Sequence, residues 1–141
     1  MTKIAVSSGD PAGVGPDICI KAFGQKKSLG YSPVIFGNIE LFKERADQIG
    51  IEIDIKEYKN DAPSSLSSDY LWVVDRPIGT RITPGKASHE AAQYIIGIFE
   101  ESVKRTISKD FDAIVTCPIN KELINSGGIS FVGHTEELAR L

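Results

Sequence analysis

Strand-length apolar runs alternate with segments of helical period along the sequence, and that order constrains the fold to parallel strands joined by helical crossovers. Lys3 to Ser7 predicts a first buried strand, followed directly by the glycine-rich turn Ser8-Gly9-Asp10-Pro11-Ala12-Gly13-Val14-Gly15. Pro16 can open a helix there, because its missing N–H is not needed in a first turn. That helix runs through Ile18, Ile20 and Phe23 and stops near Gly24. Residues 33–36 form the second strand, and Asn38 caps a helix through Leu41, Phe42, Ala46 and Ile49 that Gly50 closes. Ile51, Ile53 and Ile55 alternate with Glu52, Asp54 and Lys56, which predicts a strand with one buried face near a sheet edge. Between loops at 59–69 and 76–86, residues 71–74 form another strand. The clearest helix spans about 88–107, where Ala91, Ala92, Ile95, Ile96, Phe99 and Val103 make one apolar face. Residues 113–116 form the last strand, Asn120 caps a short helix that stops at Gly127-Gly128, and residues 135–141 begin another helix.

The bulk properties fit an ordinary globular domain: 141 residues, 41% hydrophobic and 25% charged. A net charge of −3 and the lack of a Lys/Arg cluster argue against nucleic acid as the main partner. No apolar run approaches the ~20 residues of a membrane span, and none after Lys3 resembles a signal peptide, so a cytoplasmic protein is expected. Cys19 and Cys117 form no Cys-x-x-Cys pair and have apolar neighbours, which reads as two reduced core cysteines.

Three segments could carry chemistry. The turn from Gly9 to Pro16 sits between a strand and a helix, where backbone N–H groups can face an anion. Its spacing matches neither Gly-x-Gly-x-x-Gly nor a Walker loop, so a purely conformational turn is equally open. Thr116-Cys117-Pro118-Ile119-Asn120-Lys121 follows the last strand, at the edge where open α/β sheets bind ligands. Lys121 there could reach a phosphate or carboxylate, or simply be a solvated lysine. In Gly133-His134-Thr135-Glu136, a histidine and a hydroxyl at a helix start can both donate to an anion; the plainer reading is a threonine N-cap. His89, the only other histidine, reads as a surface residue, and two histidines 45 positions apart make no ordinary metal site (134 − 89 = 45).

Together the three motifs, Gly-Asp-Pro-Ala-Gly-Val-Gly-Pro, Val-Thr-Cys-Pro-Ile-Asn-Lys and Gly-His-Thr-Glu-Glu-Leu-Ala, resemble the 4-hydroxythreonine-4-phosphate dehydrogenase family of pyridoxal 5′-phosphate synthesis. The resemblance covers essentially the whole sequence. It implies a three-layer α/β/α fold with a mostly parallel sheet, like the isocitrate and isopropylmalate dehydrogenases and incomplete here. Residues 1–125 would belong to the first domain and 126–141 would start the second. It implies oxidation of a small phosphorylated hydroxy acid with NAD or NADP, loss of CO2, and a homodimer. It matches His134 and Thr135 to the family's substrate-binding pair and places Asp10 and Lys121 near the cleft without a role. The divalent metal, Zn, Mg or Co, would be held by histidines beyond the Gly-His-Thr-Glu motif. None of its ligands is expected in this sequence, so the 141 residues alone are expected to be inactive. A sister dehydrogenase of threonate or erythronate 4-phosphate, and a non-catalytic anion-binding fragment, are the alternatives.

Overall fold

The computed structural model describes residues 1–25 and 27–141. In chain order the elements are β1 (Lys3–Ser7), α1 (Gly15–Phe23), β2 (Ser32–Gly37), α2 (Ile39–Ile49), β3 (Ile55–Glu57) and β4 (Leu71–Asp75). A 3-10 turn (His89–Ala91), α3 (Ala92–Ile107), β5 (Ala113–Thr116), α4 (Lys121–Ser126) and α5 (His134–Arg140) follow. Among the described residues the strands form one sheet in the order β3-β4-β2-β1-β5, and every pairing is parallel.

Period two in the strands assigns the layers. Val6, Ile35, Leu71 and Val73 point to one face, where they pack with Cys19 and Ile20 of α1 and Phe42 and Ala46 of α2. Ala5, Val34, Phe36, Trp72 and Val74 point to the other, against Ala92, Ile95 and Ile98 of α3 and Leu123 and Ile124 of α4. Helices on both faces of a parallel sheet give the expected three-layer α/β/α fold, and burial on both faces explains why these strands read as continuous apolar runs.

The local stop and start signals act as the sequence dictates. Pro16 lies in the first turn of α1. Asn38 accepts a hydrogen bond from Leu41 N, and Gly50 closes α2 in the left-handed conformation (φ 72°). Asn120 caps α4 by accepting from Leu123 N. Three expectations shift. The strand expected over Ile51, Ile53 and Ile55 begins only at Ile55, because 51–54 must climb from the end of α2 onto the sheet. All three isoleucines still pack on the α1/α2 core, so the alternation was a true burial signal with the wrong ladder position. Ile18, expected on the apolar face of α1, is 45% exposed, and Cys19 and Ile20 are the buried pair. The final helix starts at His134, with Gly133 rather than Thr135 at its N-cap.

The order of strands has a consequence for function. From β1 the chain crosses by α1 to β2 on one side, while α3 later returns it to β5 on the other side. The chain therefore leaves β1 and β5 in different directions, and the switch-point crevice that open sheets of this kind use for ligands falls at the carboxyl ends of these two strands. Asn38 ties down the neighbouring edge: its Oδ1 accepts from Leu41 N at 2.9 Å and its Nδ2 donates to Arg76 O at 3.1 Å. Asn38→Ala should cost about 1–2 kcal/mol, the usual worth of an N-cap. Asn38→Ser, which keeps the acceptor, should recover part of it, as urea unfolding midpoints will show.

Candidate functional site

The two glycine- and proline-marked motifs meet at this crevice. Cys117 N donates to Ser7 O at 2.9 Å, carrying the β1–β5 pairing one step past the strands. Gly9 adopts φ 73°, and a Cβ there would stand 2.5 Å from Pro118 O. A Cβ on Gly15 would stand 1.9 Å from Ser8 O and 3.1 Å from Cys117 Cβ. Glycine is thus required at both positions, once for conformation and twice for the closeness of the backbones. Cys19 of α1 reaches the same spot, with its Sγ 3.7 Å from Cys117 Sγ.

The turn is held from within and from behind. Asp10 Oδ1 accepts from Ala12 N at 2.9 Å, and Asp10 O accepts from Gly13 N at 3.0 Å, so these two amides are turned onto Asp10. Asp10 thereby shapes the loop. Arg45, from α2, is 3% exposed and supplies the backing. Its guanidinium donates to Pro11 O at 2.8 Å, to Gly13 O at 3.0 Å and to the Asp17 carboxylate at 3.2 Å. Gly85 N donates to Ala12 O at 2.8 Å, which lays the 83–86 loop against the same turn. The sequence reading missed Arg45, because an arginine on an amphipathic helix ordinarily lies in water; the three acceptors it serves come together only in the fold.

Further polar groups come from β1, α3 and α4. Lys121 is exposed at the start of α4, directly after the Asn120 cap. Ser7 Oγ and Tyr94 OH are buried without hydrogen-bond partners. Ser7 lies at the carboxyl end of β1 on the same face as Ala5, and Tyr94 comes from α3 into the core below that face. Burial pushes the Tyr94 hydroxyl well above the ordinary tyrosine value, so it stays protonated and a donor. Ser8 Oγ is engaged elsewhere, donating to Phe36 O at 2.8 Å.

His134 and Thr135 lie together at the start of α5, Thr135 exposed and His134 half-buried. The imidazole packs edge-on to Phe99 of α3 (5.2 Å between centroids) and to Phe131 (6.0 Å). The segment leading into α5 is pinned: Asn125 Oδ1 accepts from Phe131 N at 2.8 Å, and its Nδ2 donates to Phe131 O at 3.1 Å. Burial lowers the His134 pKa below its usual value, and its Nε2 is buried without a partner. Thr135 makes no cap, since Gly133 occupies that position without a side-chain bond. Asp10 thus lies in the turn that packs on Pro118, Lys121 stands exposed three residues beyond Pro118, and the His134 ring is turned onto α3. His89 is exposed, as expected. Among the described residues no group of three or more His, Cys, Asp or Glu side chains is placed to hold a metal ion. None of the described helices is long and apolar enough to cross a membrane.

A parallel α/β/α sheet with paired loops at its switch point defines the class: an open-sheet α/β protein, a fold class that binds small molecules at the carboxyl ends of its strands. Residues 30–141 match the family described as pyridoxal phosphate biosynthetic protein PdxA, and the chain belongs to that family. It is 33% identical over 138 residues to the 4-hydroxythreonine-4-phosphate dehydrogenase of Pseudoalteromonas atlantica, covering 98% of this chain and 42% of that protein. It is 36% identical over 138 residues to the enzyme of the same name from Colwellia psychrerythraea, covering 97% and 42%. The crystal structure of 4-hydroxythreonine-4-phosphate dehydrogenase from Klebsiella pneumoniae superposes with a TM-score of 0.87 at 28% identity, covering 99% of this chain and 44% of that one. The chain therefore spans about two fifths of the length of the relatives it matches.

Two outcomes follow from the geometry. Arg45→Met should destabilise the fold by about 3 kcal/mol, the lower end for removing one partner of a buried pair, because Asp17 keeps access to water. Arg45→Lys should recover little, since an ammonium cannot fork to two carbonyls and a carboxylate at once. Urea unfolding of both variants checks this. For His134, a folded pKa below the unfolded value means that the unfolded chain takes up the proton first. Stability should be full above about pH 6.5, fall as pH drops below it, and level off below the folded pKa. Unfolding titrations across that range should show the slope, and His134→Gln should remove it.

Proposed function

We propose that this chain supplies the first half of the site of an NAD(P)- and metal-dependent dehydrogenase acting in pyridoxal 5′-phosphate synthesis. Its substrate would be 4-hydroxythreonine 4-phosphate, oxidised at the hydroxyl with loss of CO2, in a cytoplasmic homodimer. The observation that carries the reading is the crevice itself. In a member of the PdxA family, the glycine-rich turn and the Thr116–Lys121 segment pack against each other at the switch point of the sheet. When bound, the nicotinamide accepts the hydride, and the residues of this chain hold the substrate in place.

Each residue has a role within reach of its chemistry. Lys121, exposed and cationic at the crevice edge, supplies long-range attraction for an anionic substrate. Thr135 offers a hydroxyl free of capping duty at the start of α5. His134, held neutral by burial, donates or accepts one hydrogen bond without bringing a charge of its own. Asp10 acts through the loop it shapes.

The test uses the protein that contains this chain, with 4-hydroxythreonine 4-phosphate, NAD or NADP and a divalent metal, following NAD(P)H by absorbance. Turnover is the expected result. Replacing His134 or Thr135 by alanine should lower kcat/KM about ten- to a hundred-fold each, the worth of one hydrogen bond to a charged group. Unchanged kinetics with normal melting would remove the residue from the site, and absence of turnover by the unmodified protein would overturn the reading.

A further inference from the structure

The geometry points to a reversible disulfide site: Cys19 and Cys117, juxtaposed between α1 and the segment after β5, close into an intramolecular bond under attack by a small-molecule disulfide such as oxidised glutathione. Their sulfurs lie 3.7 Å apart. They are 98 residues apart in sequence, so the fold alone brings them together. A disulfide needs about 2.05 Å, so the sulfurs must approach by roughly 1.7 Å, within reach of side-chain rotation and a small shift of α1. Cys19 is fully buried and Cys117 is 6% exposed. Cys117 also stands between exposed residues: Val115, two positions before it, is 50% exposed, and Pro118 follows it at the surface.

This asymmetry assigns the steps. The Cys117 thiolate attacks one sulfur of glutathione disulfide. The oxidant's S–S bond breaks, a mixed disulfide forms at Cys117, and one glutathione leaves, taking up a proton. Cys19 then loses its proton and attacks Cys117 Sγ, forming the Cys19–Cys117 bond and expelling the second glutathione. The two protein thiols lose two electrons and two protons, and the oxidant gains them. The S–H of Cys19 beside Cys117 lowers the Cys117 pKa, which favours the thiolate on the more accessible sulfur. The bond would tie α1 covalently to the segment after β5. It does not depend on the dehydrogenase reading, because its readout is chemical.

The experiment incubates the purified full chain in native buffer with millimolar glutathione disulfide and follows intact mass, free thiols and a peptide map. The expected result is loss of two hydrogens, loss of both free thiols, a peptide joining Cys19 to Cys117, and full reversal by dithiothreitol. Cys19→Ser should stop at the mixed disulfide on Cys117. The wild-type map decides the matter even if that variant folds poorly. Two thiols that survive in native buffer, a glutathione adduct that never resolves, or a crosslink that appears only in denaturant would each overturn the proposal.

Discussion

A guanidinium taken out of water needs acceptors, and Arg45 turns both its terminal nitrogens, though not its unpartnered Nε, onto the loop that most needs fixing and the helix that follows it. The turn from Asp10 to Gly15 has two glycines and a proline, so its backbone has little reason of its own to hold a single path. Asp10 closes it on one side, through Ala12 N and Gly13 N, and Arg45 closes it on the other, through Pro11 O and Gly13 O. With both in place the turn is a rigid shelf that α1 leaves at a fixed angle. Asp17 completes the arrangement, since it lies in the first turn of α1 and also meets Arg45. The orientation of the helix and the path of the loop are set by the same side chain.

The crevice is a contact between backbones more than between side chains. Gly9 beneath Pro118 O and Gly15 against Ser8 O leave no space for a β-carbon. Where the two loops meet there are therefore peptide groups, with the two sulfurs buried against them. Such a junction tolerates little change in sequence at Gly9 and Gly15.

Much of this was legible in the sequence, for identifiable reasons. Strands buried on both faces announce themselves as apolar runs, and Pro16, Asn38, Gly50 and Asn120 each act through neighbours a few residues away. What failed to show was whatever depended on distant partners. The isoleucines at 51, 53 and 55 had the right alternation, but only the end of α2 and the position of β4 decide where their ladder begins. Arg45 looked like a solvated helix residue until Pro11, Gly13 and Asp17 surrounded it. Thr135 had the composition of a cap, yet Gly133 takes that place. The family was visible as three motifs, and their joint occurrence said more than any one of them. The packing of His134 on Phe99 and Phe131 was not visible at all.

The pairing of β1 with β5 also orders events in time. The hydrogen bond from Lys3 N to Asp112 closes a span of 109 residues. Contacts that distant form late, since a long loop must be closed before they return anything. A chain emerging from a ribosome makes the glycine-rich turn first and can brace it with Arg45 within some 35 residues (45 − 10 = 35). The other wall of the crevice does not exist until Thr116 to Lys121 arrive. Through most of synthesis, then, one face of β1 stands as an open edge beside a loop already in its final shape. The second motif meets the first only as β5 docks beside β1, and the turn it meets has by then long been braced.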